Sequence, residues 1–420
     1  MARSLLAAAL LLLPLAFAGE EAPRPADLAH DLTEWPNRES WRNSDPWIAE
    51  HHRELRRMRP RVLVLVFAND VSLEAVRAHA AAVVSATAES TRFHGFEDPA
   101  AEPFLCYEPL RFVDLRDPPG PEGPRRVNSS AFPRKATGAT VLDYAALYGR
   151  ALAERIGIAD PRDPARALDL HELIQLGFVH ELWLYLIHEP GDRWPALETC
   201  EVKQHYDAQD RPIPGKHGPS GNGHDDSMPW SGRSFRIAFF NPHRGPGCAM
   251  ENYGHTLEAT ANWGAVPAYK RWFDEFAELD LKRRFGLPFD SLYALGGADR
   301  ASYPAGALEV TKDGEVHRAS PYVARGGNVH FPPGATRHYD LWPAARPLST
   351  IERWRQGGGE GGADLARPID PARWRPYERL APDGMGPWTV YWRQCMPGPG
   401  GECKDDQGRP LKSWWPYLFY

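Results

Sequence analysis

The sequence predicts an α/β fold with a largely parallel sheet flanked by helices. Three short runs, at 62–68, 178–187 and 234–241, are rich in apolar, β-branched or aromatic residues, and the first is almost entirely apolar. Runs of this kind are typical of strands that are buried on both faces. Segments with helical patterning alternate with them, which favours β-α-β units.

The first strand is followed by Ser72, a predicted N-cap, and then by an Ala-rich helix. A further strand is predicted over 110–117, and further helices over 141–156, 250–263 and 266–284. The Gly- and Pro-rich segment 212–232 is predicted to be a long loop of the kind that often carries function.

Residues 1–18 predict a secretory signal peptide. Arg3 precedes an apolar run, and Ala16-Phe17-Ala18 forms a cleavage pattern before Gly19. A membrane anchor is the alternative, but the run is shorter than the ~20 residues that span a bilayer. We therefore expect a secreted or periplasmic protein without a membrane span.

The mature chain is expected to have three parts. Residues 19–60 are polar and Pro-broken and predict an extended N-terminal segment; 61–295 would form the α/β core domain. Residues 296–420 are rich in Gly, Pro and Trp and predict an irregular region packed on that core.

The charge disfavours nucleic acid as a partner. The net charge is −6, and removal of Arg3 with the signal peptide makes it −7, whereas phosphate binding requires a basic face. Hydrophobic residues make up 42% of the chain, as expected of a globular protein. A small molecule, a peptide or a glycan is the expected substrate.

Five cysteines in an oxidising compartment predict a disulfide. Cys395 and Cys403 flank a Gly- and Pro-rich loop that could close a bridge. Cys200 with Cys248 is a second possible pair, which would leave Cys106 unpaired.

Polar residues follow the predicted strands, where sites form in open α/β sheets. Asp70 follows the first strand, His188 and Glu189 the second, and Asn241 and His243 the third. We expect Glu189 to be catalytic and the other four to bind substrate; turn and capping chemistry is the alternative.

Three closely spaced His-Glu pairs surround that second strand: one precedes it, one lies within it and one follows it. The pairs at 171 and 180 are assigned to a preceding helix or turn and to the strand's entry. Only the pair at 188 falls where a site is expected.

The segment "MENYGHTLEATANW" predicts metal ligands on a helix. His255 and Glu258 are three residues apart and Glu251 lies four before His255, so all three share a face. Imidazole and carboxylate both suit zinc, and Glu251 could act as a base. An intrahelical contact or a helix-dipole interaction would explain the pattern nearly as well.

The segment "GGNVHFPPGATRHYDLW" places His330, His338 and Asp340 in a loop shaped by Gly and Pro. Either histidine could complete a metal site, and Asp340 could contact substrate. A surface loop with hydrogen-bonded histidines is the alternative.

An H-x-x-E pair with a distant third histidine resembles the ligand set of zinc carboxypeptidases, which are also α/β enzymes. The resemblance covers His255, Glu258 and one of His330 or His338, and implies a divalent ion, with zinc the expected one. The segments "MENYGHTLE", "GGNVHFPPG" and "WWPYLFY" are similar to secreted bacterial proteins of unknown function, which implies a secreted globular chain.

These observations favour a secreted metal-dependent hydrolase with Glu189 or Glu251 as the general base. The alternative is a non-catalytic carbohydrate-binding or cell-surface protein, since 15 Trp and 15 Tyr supply many flat apolar faces. No G-x-S-x-G elbow and no phosphate-binding Gly motif is present, which disfavours serine-hydrolase and nucleotide-dependent chemistry.

Overall fold

A computed structural model describes residues 28–41, 44–120, 126–189, 191 and 193–420, so the predicted signal peptide lies outside the described residues. The α-helices are α1 (Ser44–Glu50), α2 (Leu73–Ser90), α3 (Arg150–Ile156), α4 (Leu170–Gln175), α5 (Pro246–Trp263), α6 (Pro267–Phe276), α7 (Leu281–Phe285) and α8 (Gly386–Gln394). None of these helices is long and apolar enough to cross a membrane within the described part of the chain.

The strands build one large sheet and several small ones. They are β1 (Glu34–Trp35), β2 (Arg57–Met58), β3 (Arg61–Val66), β4 (Glu108–Asp114), β5 (Ala159–Asp160), β6 (Asp163–Ala167), β7 (Glu181–Tyr185), β8 (Thr199–Tyr206), β9 (Pro212–Pro219), β10 (Phe235–Phe240), β11 (Arg300–Ser302), β12 (Leu308–Lys312), β13 (Glu315–Ala319), β14 (Leu348–Ser349) and β15 (Arg367–Pro368). Short 3-10 helices lie at Ala145–Tyr148, Leu292–Ala294, Ile351–Arg353, Glu360–Leu365, Pro371–Arg373, Arg375–Arg379 and Pro416–Leu418.

The large sheet has the order β4-β3-β7-β10-β8-β9. Its first four strands are parallel, and β8 and β9 are antiparallel additions at one edge. This confirms a mixed α/β fold with a mostly parallel sheet. The sequence did not predict the β8–β9 pair. Strand β9 is exposed and contains Pro and Gly, and it is held by backbone pairing with β8 without a pattern of alternating apolar residues.

The three predicted buried strands divide their side chains between two apolar clusters. Along β3, Val62, Val64 and Val66 belong to a cluster shared with α2, α5 and α8, whereas Leu63 and Leu65 belong to one shared with α3 and α4. Both faces of these strands are therefore covered, which is why their sequences are apolar without alternation.

Two predicted helices are each broken in the structure. The segment 141–156 becomes a 3-10 turn and α3, separated by Gly149, which adopts an extended conformation as the N-cap of α3. The segment 266–284 becomes α6 and α7, separated near Glu278, which has a φ of 55°. The predicted extended segment 19–60 also contains a helix, α1, in its described part.

The C-terminal region packs on the sheet, and it is more regular than its composition predicted. Strands β11–β13 form an antiparallel sheet with its own apolar cluster, and α8 packs against α2 and α5. Six tryptophans of this region are fully buried in the main core: Trp354, Trp374, Trp388, Trp392, Trp414 and Trp415. The high Trp content thus serves mainly to attach this region to the sheet.

The predicted Cys395–Cys403 disulfide is not formed, and neither is Cys200–Cys248, since all five cysteines are free. Cys395 closes α8 beside the hydroxyl of Tyr391, whereas the thiol of Cys403 meets the side chain of Gln356. Two cysteines that are close in sequence therefore need not point their side chains at each other, and a disulfide forms only when they do.

A buried carboxylate joins the sheet to α5. Glu181, at the start of β7, accepts hydrogen bonds from Tyr253 of α5 (2.7 Å), Tyr107 (2.9 Å) and the indole of Trp183 (2.9 Å). Arg236, its register partner on β10, lies 3.2 Å away. Glu181 is fully buried, so these hydrogen bonds and the ion pair replace the hydration that its carboxylate loses on burial.

Glu181→Ala is expected to lower the free energy of unfolding by about 3–5 kcal/mol, because it removes one of the two carboxylates beside the buried Arg236 and leaves the hydroxyls of Tyr107 and Tyr253 without their acceptor. Denaturant titration measures the change. The control is Glu315→Ala on β13, whose side chain is 80% exposed, and which should change stability by less than about 0.5 kcal/mol. Equal effects of the two substitutions would contradict the structural role of Glu181.

Candidate metal site

The candidate site is built on helix α5, whose N-terminus is capped by a distant part of the chain. Pro246 occupies the first turn, where its missing N–H is not needed. The carboxylate of Asp383 accepts hydrogen bonds from the backbone N–H groups of Gly245 (2.9 Å) and Gly247 (2.8 Å). The C-terminal region thereby fixes the start of the helix.

Glu251, His255 and Glu258 share one face of α5, as the spacing predicted. The loop that carries His330 crosses this face. Gly254 makes the crossing possible, because a Cβ there would lie 2.6 Å from Cγ2 of Val329. The missing side chain lets the loop approach closely enough for His330 to meet His255.

The carboxylate of Glu258 lies behind His255 and orients its ring. Glu258 accepts hydrogen bonds from the phenol of Tyr293 (2.9 Å) and from the backbone N–H of Val329 (3.0 Å). Its other oxygen is 2.9 Å from Nδ1 of His255. Because a carboxylate surrounded by donors accepts, His255 carries its proton on Nδ1 and presents the lone pair of Nε2.

A second chain of hydrogen bonds orients His330. Nε2 of His338 lies 2.9 Å from the carbonyl oxygen of Leu295, which can only accept, so His338 is protonated there. Its Nδ1 then accepts from Nδ1 of His330, at 3.2 Å. In the neutral form, His330 therefore also presents the lone pair of its Nε2.

These two lone pairs face each other at 3.1 Å, the distance between Nε2 of His255 and Nε2 of His330. Two lone pairs this close repel unless a cation, either a proton or a metal ion, lies between them. Two nitrogens bound to one tetrahedral zinc ion are about 3.3 Å apart. Glu251 Oε1 lies 3.4 Å from Nε2 of His330, and these three residues have ligand atoms within 4.8 Å of one another.

The electrostatics of the site favour a cation. Burial by itself would lower the pKa of His255, but the hydrogen bond and charge of Glu258, with Glu198 and Glu251 nearby, raise it above its usual value. Burial would raise the pKa of Glu251, yet His330 and the N–H of Met385 hold it below its usual value. The shift of His255 reflects the negative charge of the surrounding carboxylates, and the shift of Glu251 reflects the imidazole and N–H donors that face it.

The four predicted ligands thus divide into two kinds. His255 and His330 aim ring nitrogens at a common point, together with Glu251, which had been assigned as a base. Glu258 and His338 do not reach that point. They hydrogen-bond to His255 and His330 and so fix the tautomers of these two histidines. Sequence spacing could not separate these roles, because His-x-x-Glu places both side chains on the same face in either case.

The triad borders a cleft of about 350 Å³ at the carboxyl ends of β7 and β10. Glu251 lines the cleft, as do the predicted residues His188 and Asn241. Tyr339, at a φ of 59°, lies against the ring of His330 with centroids 4.1 Å apart and hydrogen-bonds Glu251. The cleft therefore reaches the candidate metal site through Glu251 and Tyr339.

The remaining predicted residues lie outside this group. Glu189 pairs with Arg134 and accepts a hydrogen bond from Asn128 (3.1 Å), in a different depression of the surface. Asp70 and His243 form a half-exposed pair 3.4 Å apart. Asp340 accepts from the backbone and hydroxyl of Thr336 and so shapes its own loop.

Several cleft residues were not anticipated from the sequence. Tyr339 stands between two predicted residues but belongs to no motif. Tyr293, which contacts Glu258 and does not line the cleft, also lies far from any motif. Glu198 and Arg244 also line the cleft. Glu198 directly precedes β8, and its carboxylate contributes to the pKa shifts of both His255 and Tyr339. Recognising it required β8, the strand that was missed.

Comparison of the chain with protein-family models, with curated proteins and with solved structures found no match.

His330→Ala is expected to abolish stoichiometric binding of a divalent ion, because it removes one of two nitrogens aimed at the site. His338→Ala should weaken binding by only about 10- to 100-fold, since it removes an orienting contact and no ligand. Zinc titration calorimetry after dialysis against a chelator measures both. His317→Ala, on β13, is the control, and similar affinities of all three variants would argue against the site.

Proposed function

We propose that the protein is a secreted metal-dependent hydrolase that acts on an extracellular peptide or glycan. The observation that carries this proposal is the pair of imidazole lone pairs 3.1 Å apart, completed by Glu251 at the edge of an open cleft. A stable arrangement of this kind needs a cation, and the cleft supplies space for a substrate beside it.

Two histidines and one glutamate are a donor set typical of catalytic zinc, which keeps a position open for water or substrate. When bound there, the ion would lower the pKa of a water molecule and polarise the bond to be cleaved. Glu258 and His338 hold the two imidazoles in the tautomers that such binding requires.

Two cleft residues suit the proton transfers. Burial and the neighbouring Glu251 raise the pKa of Tyr339 to about 12, so its phenol stays protonated and can donate to a developing negative charge. Glu189 is paired with Arg134 and Glu251 would help to hold the ion, which leaves Glu198 as the cleft carboxylate suited to be the general base.

Two further cleft residues, Trp194 and Arg244, suit substrate binding. Trp194 is 52% exposed and its ring meets that of His188, with centroids 4.5 Å apart. Arg244 acts electrostatically on His188, so a cation also faces this part of the cleft. A flat apolar face beside polar groups fits a sugar ring or a peptide side chain.

The exposed Trp194 also favours a second candidate, a non-catalytic carbohydrate-binding or cell-surface protein. In that case the histidines would share a proton, and binding would depend on the aromatic rim alone. Either function is proposed to operate outside the cytoplasm, which rests on the signal-peptide pattern of residues 1–18.

Metal analysis followed by substrate screening tests the proposal. Mature protein is expected to hold one zinc ion per chain by mass spectrometry, and to hydrolyse a member of a peptide and glycan panel. Chelation should abolish turnover and zinc should restore it. Glu198→Gln should keep the ion but slow turnover by about 100- to 10,000-fold, because it removes only the base.

Trp194→Ala separates the two candidates, with Trp263→Ala as the control, since Trp263 is similarly exposed (44%) but does not line the cleft. For the hydrolase, Trp194→Ala raises KM while zinc content is unchanged. A folded, metal-free protein that binds glycans through Trp194 would reject the hydrolase in favour of the binding protein.

A further inference from the structure

A second cluster of polar and charged side chains lies at the other end of the parallel strands. Arg61 begins β3, His180 directly precedes β7, and Arg233 lies two residues before β10. These are the amino ends of the parallel strands, whereas the metal cleft lies at their carboxyl ends. Each of the three side chains is only 3% exposed.

The local backbone brings these groups together. Arg61 donates its backbone N–H to Nδ1 of His180 (2.9 Å) and its Nη2 to the carbonyl of Gly177 (2.6 Å). Gly177 has a φ of 69°, and a Cβ there would lie 1.8 Å from the carbonyl oxygen of Trp41 and 3.8 Å from Nη1 of Arg233. The two guanidinium groups therefore meet around a position where only glycine fits.

The unpaired side-chain atoms of Arg61, His180 and Arg233 are all hydrogen-bond donors, and one acceptor nearby, Asp45 Oδ1, is also without a hydrogen-bond partner in the described part of the chain. Nε and Nη1 of both Arg61 and Arg233 have no hydrogen-bond partner among the described residues. Nδ1 of His180 accepts, so its ring proton is on Nε2, which is also unpartnered. The indole nitrogens of Trp35 and Trp41 also have no hydrogen-bond partner among the described residues. The ring of Trp35 contacts His180, and the ring of Trp41 contacts Arg61.

Neighbouring carboxylates do not satisfy these donors. Asp45 Oδ1 is 3.9 Å from Nε of Arg233, beyond hydrogen-bond distance, and its Oδ2 accepts from the N–H of Ser234 at 2.6 Å. Glu108, which acts electrostatically on Arg61, is bound to Arg59 at 2.6 Å. Arg233 and Asp45 thus form a long ion pair without a hydrogen bond, and Arg61 has no carboxylate paired with it among the described residues. The two arginines and Asp45 together leave one positive charge uncompensated, which is costly in a protein interior.

A water molecule accepts two hydrogen bonds, too few for a group of seven N–H donors that includes two cations. An anion accepts from all directions and also supplies charge. We propose that Arg61, His180 and Arg233 form a buried structural site for a chloride-sized monovalent anion. Burial of all three side chains excludes a phosphate ester or a carboxylate substrate, so the ligand class is a halide ion.

The electrostatic state of the arginines agrees with this proposal. Burial lowers the pKa of Arg61 to about 10, with Arg233 acting in the same direction. Burial likewise lowers the pKa of Arg233, against the influence of Asp45. A bound anion would reverse both shifts and stabilise the folded state, since it binds the native protein and not the unfolded chain.

Chloride-dependent stability tests the site without reference to any activity. Thermal melts of the full protein in sodium chloride, against sodium gluconate at the same ionic strength, should show a saturable rise in Tm of about 2–4 °C. Arg233→Met should remove this rise. The control is Arg211→Met, which alters a 73% exposed arginine and should leave the rise intact.

A bromide soak locates the ion directly. An anomalous difference peak within hydrogen-bond distance of Arg61 and Arg233 is expected in crystals of the unsubstituted protein, and this result stands even if Arg233→Met does not fold. Absence of the peak, or a chloride effect that persists in Arg233→Met, would overturn the proposal. Because the site is remote from the cleft, neither result bears on the hydrolase.

Discussion

The buried carboxylate of Glu181 is the interaction on which the arrangement of the site depends. It holds Arg236 across the β7–β10 pair and accepts from Tyr253, which lies on α5 between Glu251 and His255. The rotation of α5 about its axis is thereby fixed against the sheet, and with it the face that carries the triad. A site whose ligand atoms must lie within a few tenths of an ångström needs a rigid support of this kind.

The candidate metal site depends on the direction of hydrogen bonds as well as on residue type. Glu258 and the Leu295 carbonyl are acceptors at the outer ends of two chains, and each forces a histidine to turn a lone pair inward. The result is a short N–N approach that a proton or a metal ion must relieve. At the amino ends of the same strands the opposite situation holds, where donors of Arg61 and Arg233 meet without acceptors. The molecule therefore offers a place for a cation at one edge of its sheet and for an anion at the other.

Much of the core could be predicted, because β3, β7 and β10 have both faces covered and must be apolar along their whole length. The β8–β9 pair could not, since β9 is held by backbone hydrogen bonds to which any sequence contributes. The breaks at Gly149 and Glu278 and the free state of Cys395 and Cys403 were missed for a related reason. Backbone conformation and side-chain direction at such positions are set by surrounding contacts and not by local composition.

The sequence by itself determined the fold class and placed three residues of one helix face together, because helical periodicity is a local property. It also identified His330 as a partner candidate. Only the tertiary structure decided that Glu251 joins His255 and His330, while Glu258 and His338 stand behind them and Glu189 is bound elsewhere by Arg134. It also showed that His180-Glu181, the middle His-Glu pair, contributes a buried anchor and an unpaired donor. Whether a histidine acts as a ligand or as a supporting residue depends on the direction of one ring nitrogen. Contacts from residues distant in the chain set that direction.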